Sequence, residues 1–248
     1  KNRMRSAIAM IELIFAIVIL GIVMMSAPLL IATATQSSYV VLQQEAIATA
    51  SAKIAMILTH HWDEGNTDPT RTASILVSPK GNSDLKQMMN GTIPTGRRAG
   101  TPESSSRRFF HSLGGEAIST TPHAKLGPDN GDRDDIDDFI TKKPKNALID
   151  LGSTSTEIGD VIDKKMMIEV KANYLDDRPN SGTYRGSTTK IAYHLPFKRV
   201  IKTDSNIKQV QVKLTTNHTE KELQKEIVLN AFSCNIGTYQ LREAAVSY

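Results

Sequence analysis

One stretch near the N-terminus limits what this chain can be: from Ala7 to Ala32 the only charged residue is Glu12. About 20 successive apolar residues, wound as a helix, are long enough to cross a bilayer. Lys1, Arg3 and Arg5 come just before the run, and basic flanks of that kind predict that this end stays on the cytoplasmic side. A removable secretory signal begins in the same way. Here, however, the run is long for a signal core, it contains a carboxylate, and Pro28 directly follows Ser26 and Ala27, where a signal cut would fall. A carboxylate costs about 2–3 kcal/mol at the centre of a membrane span and less near its end. Glu12 therefore calls for a partner or a task.

The residues around it carry a specific pattern. Ser6-Ala7-Ile8-Ala-Met-Ile-Glu12, followed by Leu-Ile-Phe-Ala-Ile-Val-Ile-Leu-Gly21-Ile, resembles the prepilin N-terminus of the type IV pilin superfamily. The shared elements are a short basic leader, a small residue, a cleavage point, a glutamate as fifth residue of the mature chain, and a long apolar helix. The resemblance implies cleavage by a prepilin peptidase between Ala7 and Ile8, and methylation of the new terminus at Ile8. It further implies an assembly role for Glu12 and helix irregularity at Gly21 and Pro28. Ala7 stands where the family usually has glycine, Ile8 where it usually has phenylalanine, and Pro28 one residue ahead of its common proline. Physically, cutting at Ala7 creates an ammonium one helical turn from Glu12. The carboxylate can pair with that terminus or a neighbouring subunit's, since an unpaired buried charge is costly; the helix dipole favours it there as well.

Beyond Pro28, residues 29–59 contain no glycine or proline. Apolar residues recur at helical spacing at Val40, Ile47, Ile54 and Leu58, with Val41 and Ala48 alongside. A helix from Ile8 to about His60 would be roughly 80 Å long at 1.5 Å per residue. His60 and His61 would lie near its C-terminal carbonyls, Trp62 would anchor its end, and Gly65 would terminate it. From Gly65 to about Asp160 the composition turns to Gly, Pro, Ser, Thr and charge, which predicts an irregular connection with short strands near 74–78 and 147–151. Long connections are often functional. After it, Ile168, Val170, Ala172 and Tyr174 alternate with polar residues, as do Val210, Val212 and Leu214. Thr189–Leu195 and Glu226–Ile236 are further strand candidates, and Asn180-Ser-Gly-Thr is a turn signal. Period two with one polar face predicts an antiparallel sheet that covers something.

The expected architecture is α+β, the fold of pilin-like proteins: a long N-terminal α-helix with its distal half packed on an antiparallel β-sheet. Residues 1–7 form the leader and 8–60 the membrane-spanning and amphipathic helix. The variable connecting region is 61–160 and the sheet head 161–248.

Two clusters invite a binding role. Asp129, Asp132, Asp134 and Asp135 lie in the densest acidic stretch, and hard cations such as calcium take several oxygen ligands from a flexible loop. The spacing is not that of an EF-hand, and a solvated acidic turn is the alternative. Asp134-Asp-Ile-Asp-Asp-Phe139 also resembles a short motif of minor pilins, including those of mannose-sensitive haemagglutinin pili. Arg97, Arg98, Arg107 and Arg108 fall in a Gly/Ser/Pro-rich stretch, and the net charge of +4 is scattered, so no nucleic-acid footprint is expected. His60-His61-Trp-Asp-Glu lacks metal-site spacing.

The single cysteine, Cys234, excludes an intrachain disulfide and reads as a small buried hydrophobe. No phosphate loop, dinucleotide fingerprint or nucleophile elbow is present, so no enzymatic activity is expected. The expected function is assembly as a minor pilin or pseudopilin of a type IV pilus-like or type II secretion filament. Its partners would be other subunits, prepilin peptidase, membrane lipid and an inner-membrane assembly platform. It would reside in the bacterial inner membrane and then in a periplasmic or surface filament. The alternatives are a membrane-anchored periplasmic binding or sensor domain that never polymerises, and a tip adhesin using residues 65–160.

Overall fold

The computed structural model describes residues 2–68, 74–109, 118–129, 131–141, 145–147, 166–185, 190–193, 199–216, 224 and 226–237. It is an α+β structure, a long N-terminal helix followed by an antiparallel sheet. The chain divides into two compact units, residues 1–48 and 49–248.

Helix α1 runs from Asn2 to Leu58 and continues through Pro28. Within it, Met10–Ala34 has a mean hydropathy of 2.8 and is long and apolar enough to cross a membrane. The buried helix positions differ from the expected stripe. Ala46, Ala50, Ile54 and Ile57 are buried, whereas Val40, Val41, Ile47 and Leu58 are exposed. At about 100° per residue, Ala46, Ala50 and Ile57 lie to one side of Ile54 and Val40, Ile47 and Leu58 to the other, so Ile54 marks the edge of the buried face and not its centre. The helix stops at Leu58, and His60 Nδ1 meets the carbonyl of Met56 at 2.9 Å. Gly65 is not the terminator. It lies in a 3₁₀ turn over Glu64–Asn66, opened by the Asp63 carboxylate accepting from Gly65 N–H, and a Cβ there would come within 2.9 Å of Leu76.

In the unit 49–248 the main sheet is built on two ten-residue strands, β6 (Met166–Leu175) and β8 (Ile207–Thr216). They pair antiparallel, with Val170 opposite Val212 and Ala172 opposite Val210. β9 (Glu226–Cys234) flanks β8, and β5 (Lys145–Ala147) and β7 (Val200–Ile201) pair opposite ends of β6. Alternation delivers a buried face of Val170, Ala172, Tyr174, Val210, Val212 and Leu214. Val228 and Phe232 of β9 stay exposed on the other side. The strand expected at 147–151 is shifted: β5 ends at Ala147, and 148–151 lie outside the described residues, as do Thr189 and 194–195 of another expected strand.

The connecting region is more ordered than its composition implies. β1 (Ser74–Ile75) pairs parallel with β4 (Arg108–Phe109), and β2 (Gln87–Asn90) forms a hairpin with β3 (Ile93–Arg98). Its turn begins at Asn90-Gly91, with Gly91 at φ 60°, a hairpin signal in sequence. Side chains stitch this region to the sheet. Asn235 accepts from Leu76 N–H at 3.0 Å and donates to Leu76 C=O at 2.7 Å. The Arg98 guanidinium donates to Leu85 C=O, Asn235 C=O and Asn206 Oδ1 at 2.7–2.9 Å. Burial holds its pKa down, to about 10.

Candidate functional site

Two regions carry unusual chemistry, and each belongs to its own unit. The first is the outer surface of α1. Sixteen large apolar side chains between Met10 and Ile31 are exposed, and Glu12 stands among them, also exposed. A Cβ built on Gly21 would meet nothing within 4 Å among the described residues, so none of their contacts requires glycine there. Ala7 and Ile8 lie within the helix; their side chains are outside the described residues. Hydroxyls near Pro28 bond back to the helix, Ser26 to Val23 C=O and Thr33 to Leu29 and Leu30 C=O.

The second region is a charge centre inside the unit 49–248. The alternation that turns Val210, Val212 and Leu214 inward also turns Lys208 inward, opposite Tyr174. Lys208 is fully buried. Its Nζ lies 2.5 Å from Asp137 Oδ1 and 2.9 Å from Asp63 Oδ2. The ring of Trp62 is centred 4.8 Å away and that of Tyr174 5.8 Å away. Burial depresses an ammonium, but Asp63, Asp137 and Asp135 outweigh it and hold the Lys208 pKa above its ordinary value. Trp62 is buried as expected and donates from Nε1 to Ser233 C=O at 3.1 Å.

The two carboxylates are held differently. Asp63 accepts from Gly65 N–H and from the N–H and hydroxyl of Thr121, at 3.0–3.2 Å. The Tyr174 hydroxyl donates its one hydrogen to Thr121 C=O at 2.6 Å. Asp137 accepts from Gly127 N–H at 3.1 Å through Oδ2. Asp135 accepts from the N–H groups of Asp137 and Asp138, the first two residues of the 3₁₀ turn Asp137–Phe139. Burial pushes the Asp135 pKa up to about 8; Lys208 opposes the rise, while Asp137 and Asp138 add to it.

Outside this centre lies a cleft of about 510 Å³, lined by Asp63, Thr120, Lys125, Asp129, Asp135 and Asp138 among others. Of the four aspartates expected to meet a calcium ion, Asp129 and Asp132 do approach each other. Their third companion is Asp138, with carboxylate oxygens of all three within 4.8 Å. Asp138 also accepts from Asp134 N–H and Asp135 N–H. Asp135 is instead committed to the interior. Partial burial and then mutual repulsion hold Glu64, Asp129 and Asp134 above the usual carboxylate range.

Arg98 is engaged in the hairpin clasp, Arg97 pairs with Glu103 at 3.0 Å, and Arg108 donates to Glu103 C=O. Cys234 is half-buried, and burial raises its thiol pKa, consistent with an inert side chain. Lys208 stands one step of the alternation before Val210, the first of the inward residues read from the sequence. Extending the alternation by one step finds it. Nothing in the sequence pairs it with Asp63 or Asp137, which are 145 and 71 residues away.

No protein-family model matches the chain, and neither a characterised protein nor a solved structure shows significant similarity to it.

Proposed function

We propose that this chain is a minor pilin or pseudopilin, processed between Ala7 and Ile8 by a prepilin peptidase, held in the inner membrane by α1, and assembled through that helix into a pilus-like or secretion filament. The observation that carries this reading is the bare apolar surface of α1 with one carboxylate in it. Burying an exposed Val, Leu, Ile, Phe or Met is worth about 1.5–3 kcal/mol. Sixteen such side chains therefore leave unrealised an amount larger than the ~5–15 kcal/mol stability of a whole domain. Lipid covers this surface before assembly, and the helices of neighbouring subunits cover it afterwards.

A plain membrane anchor has no use for Glu12. In a packed helical core the carboxylate selects the register in which it meets an ammonium terminus, because every other register buries it unpaired. Gly21 fits the same account. Glycine costs about 1 kcal/mol relative to alanine within a helix, and small residues let helices approach closely where apolar surroundings supply no hydrophobic drive. The role is structural rather than catalytic.

The test is mass spectrometry of the mature N-terminus from cells that carry a prepilin peptidase, together with Glu12→Leu. A methylated terminus at Ile8, and loss of filament incorporation in Glu12→Leu with membrane localisation intact, is the expected result. An uncut chain, or filaments that form normally with leucine at 12, points to an anchored domain that does not polymerise.

A further inference from the structure

We propose that Lys208 and Asp137 become joined by an amide bond inside the folded chain, with Asp63 as the group that carries the protons. The geometry brings the three groups of the reaction together. The nucleophile Nζ sits 2.5 Å from Asp137 Oδ1, an oxygen bonded to the carbon it would attack. Asp63 Oδ2 lies 2.9 Å from the same nitrogen. Lys208 is wholly removed from solvent and enclosed by the rings of Trp62 and Tyr174.

The two carboxylates are not equivalent, and their partners assign the roles. Asp63 has donors of its own from Gly65 N–H and from the N–H and hydroxyl of Thr121, so it remains satisfied as an anion once the ammonium is gone. Asp137 is the closer of the two, and its far oxygen Oδ2 accepts from Gly127 N–H, where negative charge builds as the carbonyl opens.

The step balances without any further reactant. Asp63 takes a proton from the Lys208 ammonium and relays it to Asp137 Oδ1, and the freed lone pair then forms a bond to Cγ of the neutral carboxyl. A second proton released by the same nitrogen reaches Oδ1 through Asp63. The C–Oδ1 bond breaks with its electron pair and water departs. Oδ2 remains as the amide carbonyl, the nitrogen keeps one hydrogen, and Asp63 ends as the carboxylate it was. An ammonium and a carboxylate have become an amide and one water, with no change of oxidation state.

In bulk water this condensation runs uphill. Here two effects act against that. Reacting groups held together by one fold can behave as if present at up to about 10⁵–10⁸ M. A buried ion pair has also lost its hydration, which costs several kcal/mol per ion, and amide formation removes one such pair. The bond would tie the loop after Asp135 to β8. It is a property of the unit 49–248 and does not depend on polymerisation.

The experiment is intact mass measurement of the full chain, extracted in detergent and denatured, followed by tryptic mapping. The expected mass is lower than that of the linear sequence by one water. Trypsin then fails to cut after Lys208, and a branched peptide joins residues 134–142 to 203–213. Lys208→Arg, which keeps a cation but cannot form this bond, restores the linear mass, and Asp63→Asn does the same by removing the proton carrier. A linear mass in the unmodified chain with a free peptide ending at Lys208, or a branch located at Asp63, overturns the proposal. So does a cross-link that persists in Asp63→Asn.

Discussion

Replacing Asp177 with alanine tests whether the connecting region is part of the folded head. Asp177 lies just beyond β6 and is 1% exposed. Its carboxylate accepts from Asn82 N–H through both oxygens, and from Asn206 through both the backbone N–H and the side-chain amide, at 2.6–3.1 Å. Three donors from two distant segments thus converge on one side chain, and Arg98 reaches the same Asn206 from the hairpin. Each buried donor left without an acceptor costs about 1–3 kcal/mol. The three losses share partners and do not simply add, so the expected destabilisation of Asp177→Ala is about 3–5 kcal/mol, a large part of a typical domain's stability. Trp62 is the sole tryptophan and is buried beside Tyr174, so its fluorescence reports unfolding of this unit. Urea titration of the full chain in a non-ionic detergent gives the loss directly. Asp177→Asn should lose at least half as much, because its amide turns a donor toward donors. A change below about 1 kcal/mol in Asp177→Ala would refute the reasoning, since water would then be satisfying all three groups and the connection would be only loosely attached.

Lys208→Met, measured against Lys208→Arg so that neither chain carries an amide, should cost about 3–5 kcal/mol at neutral pH, because Asp63 and Asp137 are left buried without a cation. A urea midpoint in Lys208→Met that equals that of Lys208→Arg counts against it. Asp135, held up to about 8, makes a contribution that is complete below about pH 4 and lost as pH rises through about 8. Asp135→Asn should flatten that decline, and unfolding midpoints at pH 5 and pH 8 that keep the original difference would contradict it. Gly65→Ala places a Cβ 2.9 Å from the fully buried Leu76 and should cost about 1–3 kcal/mol of overpacking, readable as a lowered thermal midpoint.

The helix, the two long strands and the membrane-length segment were legible in the sequence because each follows from a local rule. Apolar run length sets the span Met10–Ala34, and period two sets β6 and β8. Burial of Trp62 could be read in the same way, from a large amphipathic side chain just past a helix end. The distal helix face was read less well. Periodicity gives the spacing of a buried stripe but not its phase, and the small residues Ala46 and Ala50 occupy it while Val40 and Ile47 remain outside.

Only the tertiary structure decided the charge centre and the fate of the connecting region. Lys208 reads as an ordinary strand lysine until the register sets it opposite Tyr174, and Asp63 and Asp137 reach it from turns far away in the chain. The segment from Ser74 to Arg98 looks like loop by composition, yet Asn235, Asp177 and Arg98 supply the hydrogen bonds its short strands lack. Backbone pattern is a property of neighbours in sequence, whereas desolvated charge and side-chain clasps depend on groups that meet only after folding. For that reason the sequence by itself determined the membrane-length apolar helix and the strand pattern, and the folded chain alone determined which carboxylates face the buried ammonium.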